Sequence, residues 1–304
     1  MLSRKRKLFY YKLFSLFSVV RGYNILIIVI AQYLAAKFIL APKESFMEII
    51  LDWNLHALII ASAVAIAGGY IINNFYDAEK DLINRPRKSM LDRLVSQRTK
   101  ITVYFILNFI SAGIASLVSF RAFIFFSAYI FGIWFYSHKM KKIPFLGNLT
   151  SAFLAITPFF AVFIYYGNLY SVIFVHATFL FLLILIREFI KDLENIKGDL
   201  VQNYKTIPVM YGEKVSKGLI TFATMIAVSV TVLLLSQYDT GYMRYYFYGS
   251  IVLLIFSVII LYKSNTKPQY LLLHNILKFI IVSGVFSIPL LNIEAILDKI
   301  TRVL

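Results

Sequence analysis

The chain has 304 residues, 60% of them hydrophobic and only 15% charged, with a mean hydropathy of +0.76. A soluble domain of this length could not hide so much apolar surface, and the absence of cysteine excludes disulfides and thiolate metal sites. The net charge of +16 would point a soluble protein toward nucleic acid, but in a membrane protein it reads first as basic cytoplasmic loops, and no nucleic-acid partner is expected.

The N-terminal stretch, SRKRK followed by LFYYKLFSLF, is too basic for a cleavable signal. Residues 1–22 are expected to form a cytoplasmic interfacial segment on anionic headgroups. Nine apolar runs then read as membrane spans, at 23–41, 52–73, 101–119, 121–137, 148–167, 171–190, 218–236, 245–262 and 273–292. Little more than Arg121 separates the third from the fourth, so that turn is tight. With the N-terminus in the cytoplasm, 25 of the 31 Lys and Arg residues fall on the cytoplasmic side. Only Lys37, Lys43, Arg121, Arg244, Lys299 and Arg302 fall on the other. No polar linker interrupts the pattern, so residues 1–304 are expected to form a single all-α, polytopic membrane domain of nine transmembrane helices.

Two acidic clusters interrupt this apolar chain. Where the second span ends, Asn73, Asp77 and Asp81 recur every four residues and share one helix face, with Glu79 between them. Where the sixth span ends, REFIKDLENIKGD offers Glu188, Asp192, Glu194, Asn195 and Asp199. Spans two and six run in the same direction, so both clusters emerge on the cytoplasmic side. Asp77 and Asp192 are 115 residues apart, a hint of two related halves. A single acid at a helix end reads as solvated. Two clusters at helix C-termini, where the macrodipole opposes negative charge, need a chemical reason. Carboxylates and amide oxygens at this spacing are hard ligands for Mg²⁺, which keeps several waters and bridges carboxylates to phosphate oxygens. Facing sets could hold a diphosphate through Mg²⁺, with Lys88, Lys141, Lys142, Lys191, Lys197 and Lys205 neutralising its remaining charge. The apolar helices beneath would receive a hydrocarbon tail. His56, His138, His176 and His274 form no metal pair at helical spacing.

The pattern NNFYDAEKDLINRP resembles the first aspartate-rich motif of the UbiA superfamily of intramembrane prenyltransferases. KDLENIKGDLVQNYKTIPVMYG resembles the second motif, YSHKMKKIPFLGN the segment between them, and VRGYN the opening of the first span. The resemblance runs in order over nearly the whole chain. It implies a bundle around a central cavity that opens laterally to lipid. It assigns Mg²⁺-diphosphate to Asn73, Asp77, Asp81, Asp192 and Asp199, with Asn195 in the second motif, phosphate contacts to Lys88 and Lys141, with Lys205 among the nearby cations, a place near the reacting carbon to Tyr136, and the acceptor side to Arg21 and Asn24. Asn74 and Asn195 stand where the family commonly has acids, and Lys88 where it has arginine.

The second motif is most similar to the digeranylgeranylglyceryl phosphate synthase branch. The expected reaction is Mg²⁺-dependent prenyl transfer from a prenyl diphosphate to a lipophilic acceptor, with a glycerol-phosphate lipid hydroxyl expected and an aromatic quinone precursor as the alternative. Glu188 and Glu194 are the nearest unassigned acids for a base, with simple pairing to Arg187, Lys191 or Lys197 as the alternative for either. Electrophilic transfer would pass through an allylic cation shielded from water by apolar and aromatic walls. An inactive isoprenoid-binding relative is a further alternative. A secondary transporter fits less well, because it would place charges near the midplane at broken helices. The expected location is a prokaryotic plasma membrane, with the N-terminus and site loops cytoplasmic.

Overall fold

The computed structural model describes residues 4–292, with side chains from Tyr10 onward; Lys299 and Arg302 lie outside the described residues. In chain order the helices are α1 (Arg4–Val20), α2 (Gly22–Ala35), α3 (Phe46–Leu51), α4 (Trp53–Tyr76), α5 (Ala78–Asn84), α6 (Pro86–Asp92), α7 (Gln97–Val118), α8 (Phe120–His138), α9 (Leu146–Tyr166), α10 (Ser171–Val201), α11 (Ile207–Gln237), α12 (Arg244–Lys263) and α13 (Lys267–Ser287). Nine of the described helical segments are long and apolar enough to cross a membrane. They correspond one for one with the nine expected spans.

Side-chain caps fix several boundaries. Ser45 and Glu48 form a capping box on α3, and Asp52, Ser96 and Ser119 accept from backbone N–H groups at the starts of α4, α7 and α8. Ser119 alone separates α7 from α8, the tight turn expected near Arg121. Arg21 adopts a left-handed conformation (φ 52°) that divides α1 from α2, so the basic N-terminal helix is distinct from the first span.

Several helices outrun the apolar runs that reveal them. α10 continues to Val201 as one 31-residue helix, which keeps Asp192, Asn195 and Asp199 on a single rigid element. α11 begins at Ile207 with Pro208 in its first turn and breaks at Gly212 (φ 81°) before its apolar part. α4 ends at Tyr76, but the Asp77 and Asp81 N–H groups still bond to the Asn73 and Asp77 carbonyls. The helical register therefore carries across into α5.

Large apolar side chains cover the outside, with Leu117 83% and Phe109 77% exposed, as expected of a surface solvated by lipid. The protein is an integral, multi-pass membrane bundle. The most enclosed spans are α4 and α10. α4 packs on α2, α7, α8 and α9; α10 packs on α9, α11 and α13. α4 with its continuation into α5 carries the first acidic cluster, and α10 carries the second.

Candidate active site

The short helix α5 lies across α10 and brings the clusters together. Lys80 forms an ion pair with the fully buried Asp199 at 2.5 Å, and Arg85 pairs with Glu194 at 3.3 Å. Asn84 accepts from the Gly198 N–H at 3.2 Å. A β-carbon at Gly198 would overlap the Asn84 amide, so this close crossing requires glycine. Gln202 adds a hydrogen bond to Glu79 at 3.1 Å.

The result is a polar cleft of about 900 Å³ at the C-terminal ends of α4 and α10. Its walls include Arg21, Asn73, Asp77, Asp81, Lys88, Tyr136, Lys141, Asp192 and Asn195, which is most of the set expected from the sequence. Three expected residues sit elsewhere. Asn24 stands behind the wall, donating to the Tyr70 hydroxyl at 3.4 Å. Asp199 lies behind Lys80 and accepts from Thr206 at 3.2 Å. Lys205 is exposed and does not line the cleft; its part in the fold is a backbone bond to the Lys142 carbonyl.

Six cations line the cleft against four acids: Arg21, Lys80, Arg85, Lys88, Lys141 and Lys191 against Asp77, Asp81, Glu188 and Asp192. Such a lining favours an anion richer in charge than the acids alone would tolerate. Lys141 donates to Asp77 at 2.7 Å and to Asn73 at 3.2 Å. Gly147 makes that placement possible, since a β-carbon there would press on the Met140 carbonyl and Lys141 at 3.0–3.1 Å. Tyr204 donates to Asp77 at 3.1 Å, and Asn148 donates to Asp192 at 2.8 Å.

These pairs set the charges outside the spans. Burial opposes ionisation of Asp77, but Lys141 and Lys80 together outweigh it and hold the carboxyl below its ordinary range. Burial likewise opposes the Lys80 ammonium, yet Asp199 and Asp77 raise its pKa. Asp81 is pushed up by burial and by the neighbouring Asp77 charge. Lys88 is pushed down by burial and by Arg21.

The donor chemistry fits Mg²⁺. The oxygens of Asn73 and Asp77, on successive turns, converge on one cation, the Lys141 ammonium. The Asn195 amide nitrogen is used on the Lys191 carbonyl at 2.8 Å, which leaves its oxygen as the remaining acceptor. Among the described residues no three carboxylates or histidines gather into a closed metal site. Paired carboxylates and amides without a cage suit an ion that completes its shell with water and phosphate.

Asn74 turns out to serve the scaffold. Its amide nitrogen donates to the buried Asp92 at 2.9 Å while its oxygen accepts from Lys100, itself 1% exposed, at 2.8 Å. An aspartate could accept but not donate, so the asparagine suits this network, which holds α6 and its Lys88 against α4 and α7. Lys80, Tyr204 and Asn148 were not singled out from the sequence. Asn148 stands in the GN pair of the segment between the motifs; Lys80 and Tyr204 carried no signal beyond charge and aromaticity.

Further along the bundle, the α2, α9, α10, α12 and α13 helices border a partly open apolar cavity of about 990 Å³ walled by Phe160, Phe163, Phe174, Leu183, Phe247 and Ile281. Along α10, residues 173–183 line this cavity and residues 188–195 the polar cleft, so one helix spans both.

Residues 26–280 match the UbiA prenyltransferase family. The digeranylgeranylglyceryl phosphate synthase of Thermococcus gammatolerans is 33% identical over 165 residues, covering 53% of this chain and 59% of that protein. That of Methanobrevibacter smithii is 28% identical over 260 residues, covering 82% and 88%. The chain thus spans about three fifths of the length of the Thermococcus relative. Among solved structures, one of digeranylgeranylglyceryl phosphate synthase has a TM-score of 0.68 at 20% identity, over 91% of this chain and 97% of that one. A UbiA homolog from Archaeoglobus fulgidus, bound to GPP and Mg²⁺, has a TM-score of 0.67 at 14% identity, over 90% and 99%. From the extent of the family match and the shared bundle, the chain belongs to the UbiA prenyltransferase family.

Proposed function

We propose that this protein transfers a prenyl group from a prenyl diphosphate to the hydroxyl of a glycerol-phosphate lipid, in a Mg²⁺-dependent reaction at the cytoplasmic face of a prokaryotic plasma membrane. The observation that carries the reading is the pair of oxygen-donor sets, on α4–α5 and α10, facing one cation-rich cleft above an apolar cavity. The similarity to synthases of the glycerol-phosphate branch supports the acceptor class. The excess of Lys and Arg in the loops on the same side of the spans as the N-terminus supports the orientation.

In this reading Asn73, Asp77, Asp81, Asp192 and Asn195 hold the metal-bound diphosphate. When bound, Mg²⁺ supplies charge stabilisation to the departing diphosphate. Lys141, Lys88, Lys191 and Arg85 add fixed positive charge where negative charge develops. Lys80 keeps Asp199 neutralised and α5 in place. The C–O bond to diphosphate breaks with its electron pair on the leaving oxygen, and a new C–O bond forms to the acceptor. Tyr136 lines the cleft wall near that carbon. The apolar cavity holds the tail and excludes water. The hydroxyl proton passes to a carboxylate of the cleft. Glu188 is the candidate by position, since it lines the cleft, although its pairs with Lys191 at 2.7 Å and Arg187 at 3.6 Å lower its basicity. Glu194 is engaged by Arg85 and lies 3.2 Å from His274, away from the cleft lining.

Purified protein incubated with geranylgeranyl diphosphate, Mg²⁺ and a panel of acceptors, read by mass spectrometry, tests the assignment. The expected product is a prenyl ether of an alkylglycerol phosphate. Transfer to dihydroxynaphthoate or hydroxybenzoate alone would move the protein to the aromatic branch.

A further inference from the structure

Lys278 is a charged residue without an obvious use. It lies eleven residues into α13, about 16 Å along the axis from the start of that helix, further than a lysine side chain reaches back. Among the described residues no acid lies within ion-pair distance of it. Its ammonium sits 4.7 Å from the centroid of the Tyr23 ring, across the seam between α2 and α13. An ionisable group at this depth with no counter-charge is costly unless something supplies one. The cation–π contact recovers only part of that cost.

A second cation lies at a neighbouring depth. Arg187 and Glu194 share a face of α10, seven residues apart, and His274 and Lys278 share a face of α13, four apart. Glu194 and His274 meet at 3.2 Å, so those two faces are apposed. In antiparallel helices joined at that pair, Arg187 lies about 10 Å and Lys278 about 6 Å deeper. Arg187 offers one guanidinium nitrogen to Glu188 at 3.6 Å, and its Nε is buried without a hydrogen-bond partner. The same seam leads inward to both parts of the site. Ala31 and Ala35 of α2 and Ile281, Gly284 and Val285 of α13 line the apolar cavity, and Arg21, two residues from Tyr23, lines the polar cleft.

We propose that Lys278, with Arg187 about 4 Å deeper on the facing helix, binds the phosphate monoester of the lipid acceptor as that lipid lies in the α2–α13 seam. The assignment rests on the prenyl-transfer reading above. Lys278 has no acid within ion-pair distance and Arg187 keeps an unpartnered Nε donor, which suits an anion with several acceptor oxygens, and a phosphate monoester offers three and carries nearly two charges at neutral pH. An anchor here would keep the acceptor's phosphate apart from the diphosphate cleft, so that two like-charged groups do not compete for Lys141 and Lys88. Its tails would share the apolar cavity.

The test uses the full-length protein in detergent micelles, comparing wild type, Lys278→Met and Lys278→Arg. Methionine removes the charge while keeping a long apolar side chain, which a membrane helix tolerates. Calorimetry would measure binding of an alkylglycerol phosphate, the uncharged alkylglycerol, inorganic phosphate, and geranyl diphosphate with Mg²⁺. Loss of one charge-assisted hydrogen bond should weaken alkylglycerol phosphate about tenfold or more in Lys278→Met. Lys278→Arg should restore most of it, and the uncharged alkylglycerol and geranyl diphosphate should bind all three proteins alike. Equal alkylglycerol phosphate affinities for wild type and Lys278→Met would overturn the site. So would a parallel loss of geranyl diphosphate binding, which would mark Lys278 as structural. Displacement of the lipid by equimolar inorganic phosphate would reject a lipid headgroup as the ligand. Failure of wild type to bind geranyl diphosphate would instead count against the transferase reading, and the alkylglycerol phosphate comparison would still decide the anion site.

Discussion

The Asp77–Lys141 pair ties the first acidic cluster to the segment between the motifs, and it can be taken apart one charge at a time. The side chains are 14% and 6% exposed, with nitrogen and oxygen 2.7 Å apart. Breaking a buried pair by removing one partner costs about 3–5 kcal/mol, because the other charge is left desolvated. In Asp77→Asn the Lys141 ammonium keeps the Asn73 oxygen at 3.2 Å and gains a neutral amide oxygen, which places the loss near the lower end, about 3 kcal/mol. In Lys141→Met the carboxylate keeps the Tyr204 hydroxyl at 3.1 Å, for a loss of about 2 kcal/mol. The double variant leaves neither charge stranded and should cost about 2 kcal/mol, so the coupling is about 3 kcal/mol. Reversible unfolding in mixed micelles, followed by the fluorescence of Trp53 and Trp134, measures all three. Turnover should be lost in each, including the double variant, which is no less stable than Lys141→Met alone. Single losses that add to the double within about 0.5 kcal/mol would refute the pairing.

Three further outcomes follow from particular contacts. Asn74→Asp should lower stability by about 1–3 kcal/mol in the same unfolding assay, since it removes the donor to Asp92 and sets two carboxylates together; an unchanged midpoint would discount the network. Gly198→Ala should lower the melting temperature by pressing on Asn84, whereas Gly218→Ala, whose β-carbon meets nothing within 4 Å, should be neutral or stabilising by up to about 1 kcal/mol. Arg93→Cys and Lys197→Cys, both at exposed positions in a chain without cysteine, should react with an impermeant maleimide only from the cytoplasmic side of oriented membranes; labelling from the opposite face would reverse the topology.

What the sequence disclosed was whatever repeats along one helix. Nine apolar runs gave nine spans, and the spacing of Asn73, Asp77 and Asp81 survives in the structure because the hydrogen bonds continue across Asp77. What it hid was pairing across helices. Nothing local says that Lys80 neutralises Asp199, that Tyr204 serves Asp77, or that Asn74 spends both ends of its amide on Lys100 and Asp92. Asp199 and Lys205 fit the charge pattern, yet the first is buried behind Lys80 and the second faces outward. The apolar runs end short of the helices where polar residues continue them, as in the last turns of α10 and the first of α11. Hydropathy follows the hydrocarbon thickness, and these turns extend past it.

The central claim is that the facing clusters bind a prenyl diphosphate through Mg²⁺. Titration calorimetry of geranyl diphosphate into purified protein, with Mg²⁺ and then with EDTA, tests it most directly. The account predicts saturable binding of about one ligand per chain with Mg²⁺, and its loss in EDTA and in Asp192→Ala with Mg²⁺ present. Equal affinity in Mg²⁺ and EDTA, or undiminished binding by Asp192→Ala, would contradict it.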